Sequence, residues 1–244
     1  MIEELTTVTI HRKTCHIYRK SDSKKGSISE NHRLPVFYWG IGGGERASAE
    51  AVVSYLKKQA PDANFLLTAY ESENWNDDFS PWAAPAVFGK EGFGGKANDT
   101  LKWLTEYCIP YIEADKPEIA RFSVGYSLAG LFGLWVYCEC EKFAGAVSCS
   151  GSLWYEGWLD YVRKAAVCRD EKNYIYLSLG DKEEKTRNRR MATVGGNTRK
   201  VYTMLCENQK NVEGVLAWNQ GGHFSEPDVR IAKGIDWILR HFDV

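Results

Sequence analysis

Residues 121–130 read Arg-Phe-Ser-Val-Gly-Tyr-Ser-Leu-Ala-Gly. Residues 121–124 have the apolar weight of a short buried strand, and residues 128–139 continue as a helical run. A serine set on so abrupt a strand-to-helix turn needs small residues two positions to either side, so that strand and helix can approach. Gly125 and Ala129 meet that need, Ala129 adding one methyl group at a crowded contact that Gly130 helps to relieve. Ser127 is therefore the candidate nucleophile. A plain Gly-Ser turn before a helix is the bland alternative, and the apolar strand ahead of it argues against that reading.

Outward from this turn, the chain alternates strands with helices. Residues 7–10 and 15–18 form an opening antiparallel hairpin, and residues 20–33 a polar loop. A strand at 34–39 runs into the glycine-rich loop Gly40-Ile41-Gly42-Gly43-Gly44 and a helix at 47–59. A strand at 64–70, an irregular stretch at 71–96 and a helix at 98–113 lead to the strand before Ser127. Further strands at 145–148, 174–179 and 214–218 precede a closing helix at 227–242. Such alternation implies an α/β fold with a mostly parallel central sheet covered by helices on both faces. Residues 1–244 are read as a single domain, since α/β folds reach this length around one sheet.

Composition excludes several function classes. Thirty-one basic and 32 acidic side chains leave a net charge of -1, so no global field draws the chain to nucleic acid or an anionic membrane. No run approaches the roughly 18 apolar residues that would span a bilayer. Seven cysteines, an odd number without C-x-x-C or zinc-ligand spacing, read as reduced thiols and offer no metal site. Residues 1–10 contain no apolar run behind a basic region, and a cytoplasmic location is expected. A homo-oligomer is compatible with all of this.

A serine hydroxyl needs a base near neutral pH, usually histidine. His11 and His16 fall on the hairpin, His32 in the polar loop and His241 at the end of the last helix. His223, after the last strand and the turn Gln220-Gly221-Gly222, is the candidate. For the carboxylate that would orient it, Asp181, Glu183 and Glu184 compete just beyond the strand at 174–179. Donors for a developing oxyanion are expected from the Leu128 N–H, at the start of a helix, and from Ile41 or Gly42 in the glycine loop. That loop fails as a dinucleotide fingerprint because the third glycine of G-x-G-x-x-G falls at Glu45.

With these residues in place, the sequence resembles the esterase branch of the α/β-hydrolases, which holds enterochelin esterases, feruloyl esterase modules and S-formylglutathione hydrolase-like enzymes. The resemblance rests on Asn76-Asp77-Asp78-Phe79-Ser80-Pro81-Trp82, Phe93-Gly94-Gly95, Ile109-Pro110, the segment around Ser127, residues 148–154 and Gly221-Gly222-His223-Phe224. It implies a hydrolase of a small acyl or aryl ester, siderophore-like, feruloyl-like or a thioester, without metal or organic cofactor. The family's order Ser, acid, His agrees with His223. An acid three positions after a glycine at the strand end, common in this superfamily, selects Glu183.

Trp75, Trp82, Trp154 and Trp158 fall in loops expected beyond the strand ends, where open α/β sheets bind ligands, and the first three are the candidates for an aromatic substrate wall. Packing of the long loops is their bland alternative. Two rival functions use the same residues or fold: an acyltransferase, in which an acceptor alcohol replaces water, and a catalytically silent binding protein.

Overall fold

The computed structural model describes residues 4–20, 33–87, 89–114, 118–165 and 170–242. Strand β3 (Leu34–Ile41) shows how the sequence selects the architecture. Val36 and Tyr38 point into one core while Phe37, Trp39 and Ile41 point into another, so the strand is apolar throughout because both its faces are covered. Its neighbours are β4 (Phe65–Glu71) and β7 (Ile119–Tyr126), both parallel to it. Beyond β7 come β8 (Phe143–Cys149), β9 (Asn173–Gly180) and β10 (Val212–Asn219), again parallel. The hairpin β1 (Glu4–Ile10) and β2 (Lys13–Lys20) adds two antiparallel strands beside β4. The resulting eight-stranded order is β1-β2-β4-β3-β7-β8-β9-β10.

Helices α1 (Arg46–Gln59) and α8 (Pro227–His241) bury Val52, Leu56, Ile231 and Ile235 on one face. On the other face, α5 (Ser127–Glu139) is buried nearly all round, and Trp103, Trp158 and Val201 close the core with it. The expected layering is thus present. The loop expected over 20–33 lies, apart from its ends, outside the described residues.

Three local readings change. The irregular stretch contains α2 (Trp75–Asp78) and a small hairpin of β5 (Ala83–Ala84) with β6 (Phe93–Gly94). The helix expected at 98–113 is α3 (Ala97–Trp103), a π turn at Leu104–Cys108 and α4 (Ile109–Glu113). Pro110 has no N–H to give the preceding turn, and the ladder widens there. Two helices unforeseen in the sequence, α6 (Trp158–Lys164) and α7 (Val194–Tyr202), fill the intervals beside β9.

Candidate active site

Parallel strands deliver their C-terminal ends to one edge of the sheet, and β7, β9 and β10 end there at Tyr126, Gly180 and Asn219. Ser127 follows β7 directly as the first residue of α5, with φ at +56°. A side chain other than glycine is strained in this region, and the strain holds the hydroxyl clear of both elements. Gly125 makes the turn possible. A Cβ there would stand 2.1 Å from the Ala129 carbonyl oxygen, so the position that must be small is Gly125, while the Ala129 methyl is accommodated.

His223 lies on the turn after β10. Its Nε2 is 3.0 Å from Ser127 Oγ, and its Nδ1 is 2.8 Å from Glu183 Oε2. Glu183 is 4% exposed at its side chain. Burial alone raises its carboxyl pKa, but hydrogen bonds from His223, Ser150 and the Gly180 N–H outweigh it and hold the group below its ordinary value. An ionised carboxylate can only accept, so Nδ1 of His223 carries the proton and donates. In the neutral ring, Nε2 is then left with a lone pair facing the Ser127 hydroxyl. Ser152 Oγ lies 3.4 Å from Ser127 Oγ, and the Ser152 N–H donates to the Ser127 carbonyl at 2.9 Å.

The competing carboxylates have separate partners. Asp181 accepts the Gly221 N–H at 2.8 Å and thereby ties down the histidine turn. Glu184 pairs with Arg199 at 3.2 Å. Only Glu183 reaches the imidazole among the three.

Arg230, on α8 and 1% exposed, escaped the sequence reading. Its Nη1 donates to Glu183 Oε1 at 2.8 Å, to Ser150 Oγ at 2.8 Å and to Tyr126 OH at 3.3 Å. Nη2 donates to the carbonyls of Gly222 at 2.9 Å and Gln220 at 3.3 Å. One guanidinium thus fixes both the carboxylate and the turn that carries His223. Tyr126 adds a bond from its hydroxyl to the His223 carbonyl, and burial pushes that phenol up to about 12, so it stays a donor. The signal that could have found Arg230 is a charged residue in the middle of the apolar stripe of α8, between Val229 and Ile231.

For an oxyanion, the Leu128 N–H belongs to the first turn of α5, whose N–H groups have no partner within the helix. Across from it, the ladder separates Ile41 from Gly42. The Ile41 carbonyl accepts from the Ser72 N–H just beyond β4, and a parallel ladder turns a residue's N–H and C=O to the same neighbour. Gly42 therefore turns its N–H to the β7 side, where Ser127 lies. In the structure that N–H donates to Glu45 Oε2 at 2.9 Å.

Trp154 belongs to the core on the α5 side of the sheet, and Trp75 and Trp82 pack against that core. Trp75 meets Phe79 edge to face at 4.9 Å, and Trp154 is buried against Phe93 and Tyr155. Trp82 donates from Nε1 to the Glu156 carbonyl at 2.8 Å and packs on Tyr155 and Tyr161. The loop beneath them is braced as Asp and Ser side chains brace turns: Asp78 accepts from Lys13, Ser72 and the Glu73 N–H, and Ser80 Oγ accepts the Gly95 N–H. Among the described residues, no group of three or more His, Cys, Asp or Glu is arranged to hold a metal, and no helix is long and apolar enough to cross a membrane.

No protein-family model matches the sequence, and no curated protein matches it. Solved structures do. The siderophore hydrolase EstA from Aspergillus nidulans superimposes with a TM-score of 0.72 at 17% identity, covering 97% of this chain and 94% of that one. An IroE-like serine hydrolase from Shewanella oneidensis gives 0.74 at 14% identity, covering 99% and 82%. The enterobactin esterase FES from Shigella flexneri gives 0.69 at 13% identity; the match takes in 100% of this chain and 61% of that one. The chain therefore shares the fold of these structures, the α/β-hydrolase fold.

Proposed function

We propose that this protein is a serine carboxylic-ester hydrolase, a single domain acting through an acyl-enzyme on a small acyl or aryl ester. The observation that carries the reading is the unbroken series from Ser127 Oγ to His223 Nε2 at 3.0 Å and from His223 Nδ1 to Glu183 Oε2 at 2.8 Å, on a strained turn at the strand ends. His223 takes the Ser127 proton as Oγ attacks the ester carbonyl. The N–H groups of Leu128 and Gly42 stabilise the oxyanion once Glu45 gives way. The C–O bond to the alcohol then breaks, and the leaving oxygen receives the proton from His223 Nε2. Water, activated by the same imidazole, releases the acid and restores Ser127.

Trp75, Trp82 and Trp154 supply the aromatic wall on this reading. The siderophore and enterobactin esters named for the structural neighbours are the first substrates to try. A panel of acyl and aryl esters, with and without added alcohols, tests the proposal on the wild type and Ser127→Ala. Release of free acid that disappears in Ser127→Ala supports it. Products formed only with the alcohols assign an acyltransferase instead, and no turnover on any ester leaves a binding protein on this fold.

A further inference from the structure

The turn after His223 ends in a side chain that folding does not explain. Phe224 is 90% exposed, more than any other large hydrophobic residue among those described. A phenyl ring left in water adds almost nothing to the core. Yet the backbone that carries it is fixed. The Gly222 and His223 carbonyls are held by Arg230 and Tyr126, and Ser225 closes the turn by accepting the Gly222 N–H through Oγ at 3.1 Å and donating its own N–H to the Gly222 carbonyl at 3.2 Å. The ring stands edge to face with the His223 imidazole, centroids 5.1 Å apart. Tyr126 packs against the same imidazole at 5.4 Å, with its hydroxyl turned to the backbone. Phe224 is thus an apolar surface carried on a fixed backbone beside the His223 imidazole, and an aromatic ring is ordered on binding at little entropic cost.

We infer that Phe224 determines specificity for the alcohol side of the ester. The inference rests on the esterase reading of Ser127, His223 and Glu183. In acylation, His223 Nε2 hands its proton to the oxygen whose bond to the acyl carbon is breaking, so the departing alcohol must lie within hydrogen-bond reach of the imidazole. Its substituent then meets Phe224. The preferred substrates are esters whose alcohol carries an aromatic ring close to the scissile oxygen. Deacylation has no alcohol left to contact, so Phe224 acts before the acyl-enzyme and the acyl group is chosen elsewhere.

Benzyl and ethyl esters of one acid test this, because their alcohols are of similar acidity and differ mainly in the ring. The ratio of their kcat/KM values is measured for wild type, Phe224→Ala and Phe224→Tyr, alongside 4-nitrophenyl esters of acetate, butyrate and benzoate, with Ser127→Ala as the blank. Phe224→Ala is expected to lower the benzyl-to-ethyl ratio about fivefold to tenfold, the worth of one aromatic contact. Phe224→Tyr keeps the ratio, and selectivity among the acyl groups does not move. An unchanged benzyl-to-ethyl ratio overturns the inference, as does a shift of the acyl series by the same factor or a wild type without preference for the ring. Failure of the underlying reading looks different: no ester is then turned over faster by wild type than by Ser127→Ala.

Discussion

Arg230→Met removes a guanidinium from beneath the candidate site and leaves a shorter, uncharged side chain that fills the space of the arginine stem. The structure sets the scale of the loss. Glu183 Oε1 forfeits its ion pair at 2.8 Å but keeps the Ser150 hydroxyl at 2.7 Å and the Gly180 N–H at 2.7 Å, so the carboxylate is weakened rather than orphaned. The Gln220 carbonyl also loses the guanidinium and the Gly222 carbonyl keeps only the Ser225 N–H at 3.2 Å, in a turn open enough for water to step in. Breaking a buried pair from one side costs about 3–5 kcal/mol, and these compensations place Arg230→Met near the lower end, about 3 kcal/mol. The freed histidine turn should lower kcat on a reactive ester roughly 10- to 100-fold, as small misplacements of catalytic groups do. Lysine at this position should not rescue kcat, because a single ammonium cannot reach the carboxylate and both carbonyls together. Urea unfolding followed by tryptophan fluorescence gives the stability, and the double variant with Glu183→Gln gives the coupling. Losses smaller than the sum of the two single variants, by about 1 kcal/mol or more, are expected. A loss under about 1 kcal/mol with unchanged kcat, or strict additivity, would refute the role assigned to Arg230.

Gly125→Ala puts a methyl group 2.1 Å from the Ala129 carbonyl oxygen, a backbone atom of α5 that cannot step aside. Activity should be abolished and stability should fall by about 3 kcal/mol or more, checked by unfolding and ester turnover, whereas full activity would mean that the turn is not set by this contact. Glu183 has a folded pKa below its ordinary value of 4.5, so its stabilising contribution is complete above that value and disappears as pH falls through the folded one. The stability difference between wild type and Glu183→Gln, followed by thermal unfolding, should accordingly be flat near neutrality and shrink below about pH 4.5; a difference that grows on acidification would contradict the sign. Glu45→Ala frees the Gly42 N–H from its carboxylate at 2.9 Å, and a rise in kcat/KM of about two- to fivefold is expected from the loss of an exposed charge-assisted bond. A fall of similar size would show instead that Glu45 builds the loop.

The parallel sheet was legible because β3, β7 and β9 are short apolar runs with a glycine at or next to the end, Gly40, Gly125 and Gly180, and both faces of each strand are buried. Ser127 announced itself through Gly125 two positions before it, a requirement of local geometry that sequence spacing carries. His223 followed from its place between β10 and α8. Glu183 was singled out by its place three positions after Gly180, but spacing left Asp181 and Glu184 as competitors, and their turning to other partners depends on side-chain directions in one turn. Helix α7 was hidden because Gly195 and Gly196 and the β-branched Val194 and Thr198 give it little intrinsic helix preference, and burial against the core decides its state. Arg230 was invisible for a related reason. Its partners Tyr126, Ser150, Glu183 and Gly222 come from distant segments that only the fold assembles.

A mechanism-based probe addresses Ser127 most directly. A fluorophosphonate transfers its phosphonyl group to a serine oxygen made nucleophilic by a neighbouring base, with fluoride as the leaving group, and the adduct mimics the tetrahedral transition state. The protein treated with one equivalent and digested for mass spectrometry should carry the added mass on the peptide containing Ser127. Labelling should slow by at least about 100-fold in His223→Ala and be absent in Ser127→Ala. Labelling at another residue with Ser127 unmodified, or equal labelling rates in wild type and His223→Ala, would contradict the assignment of Ser127 as a nucleophile activated by His223.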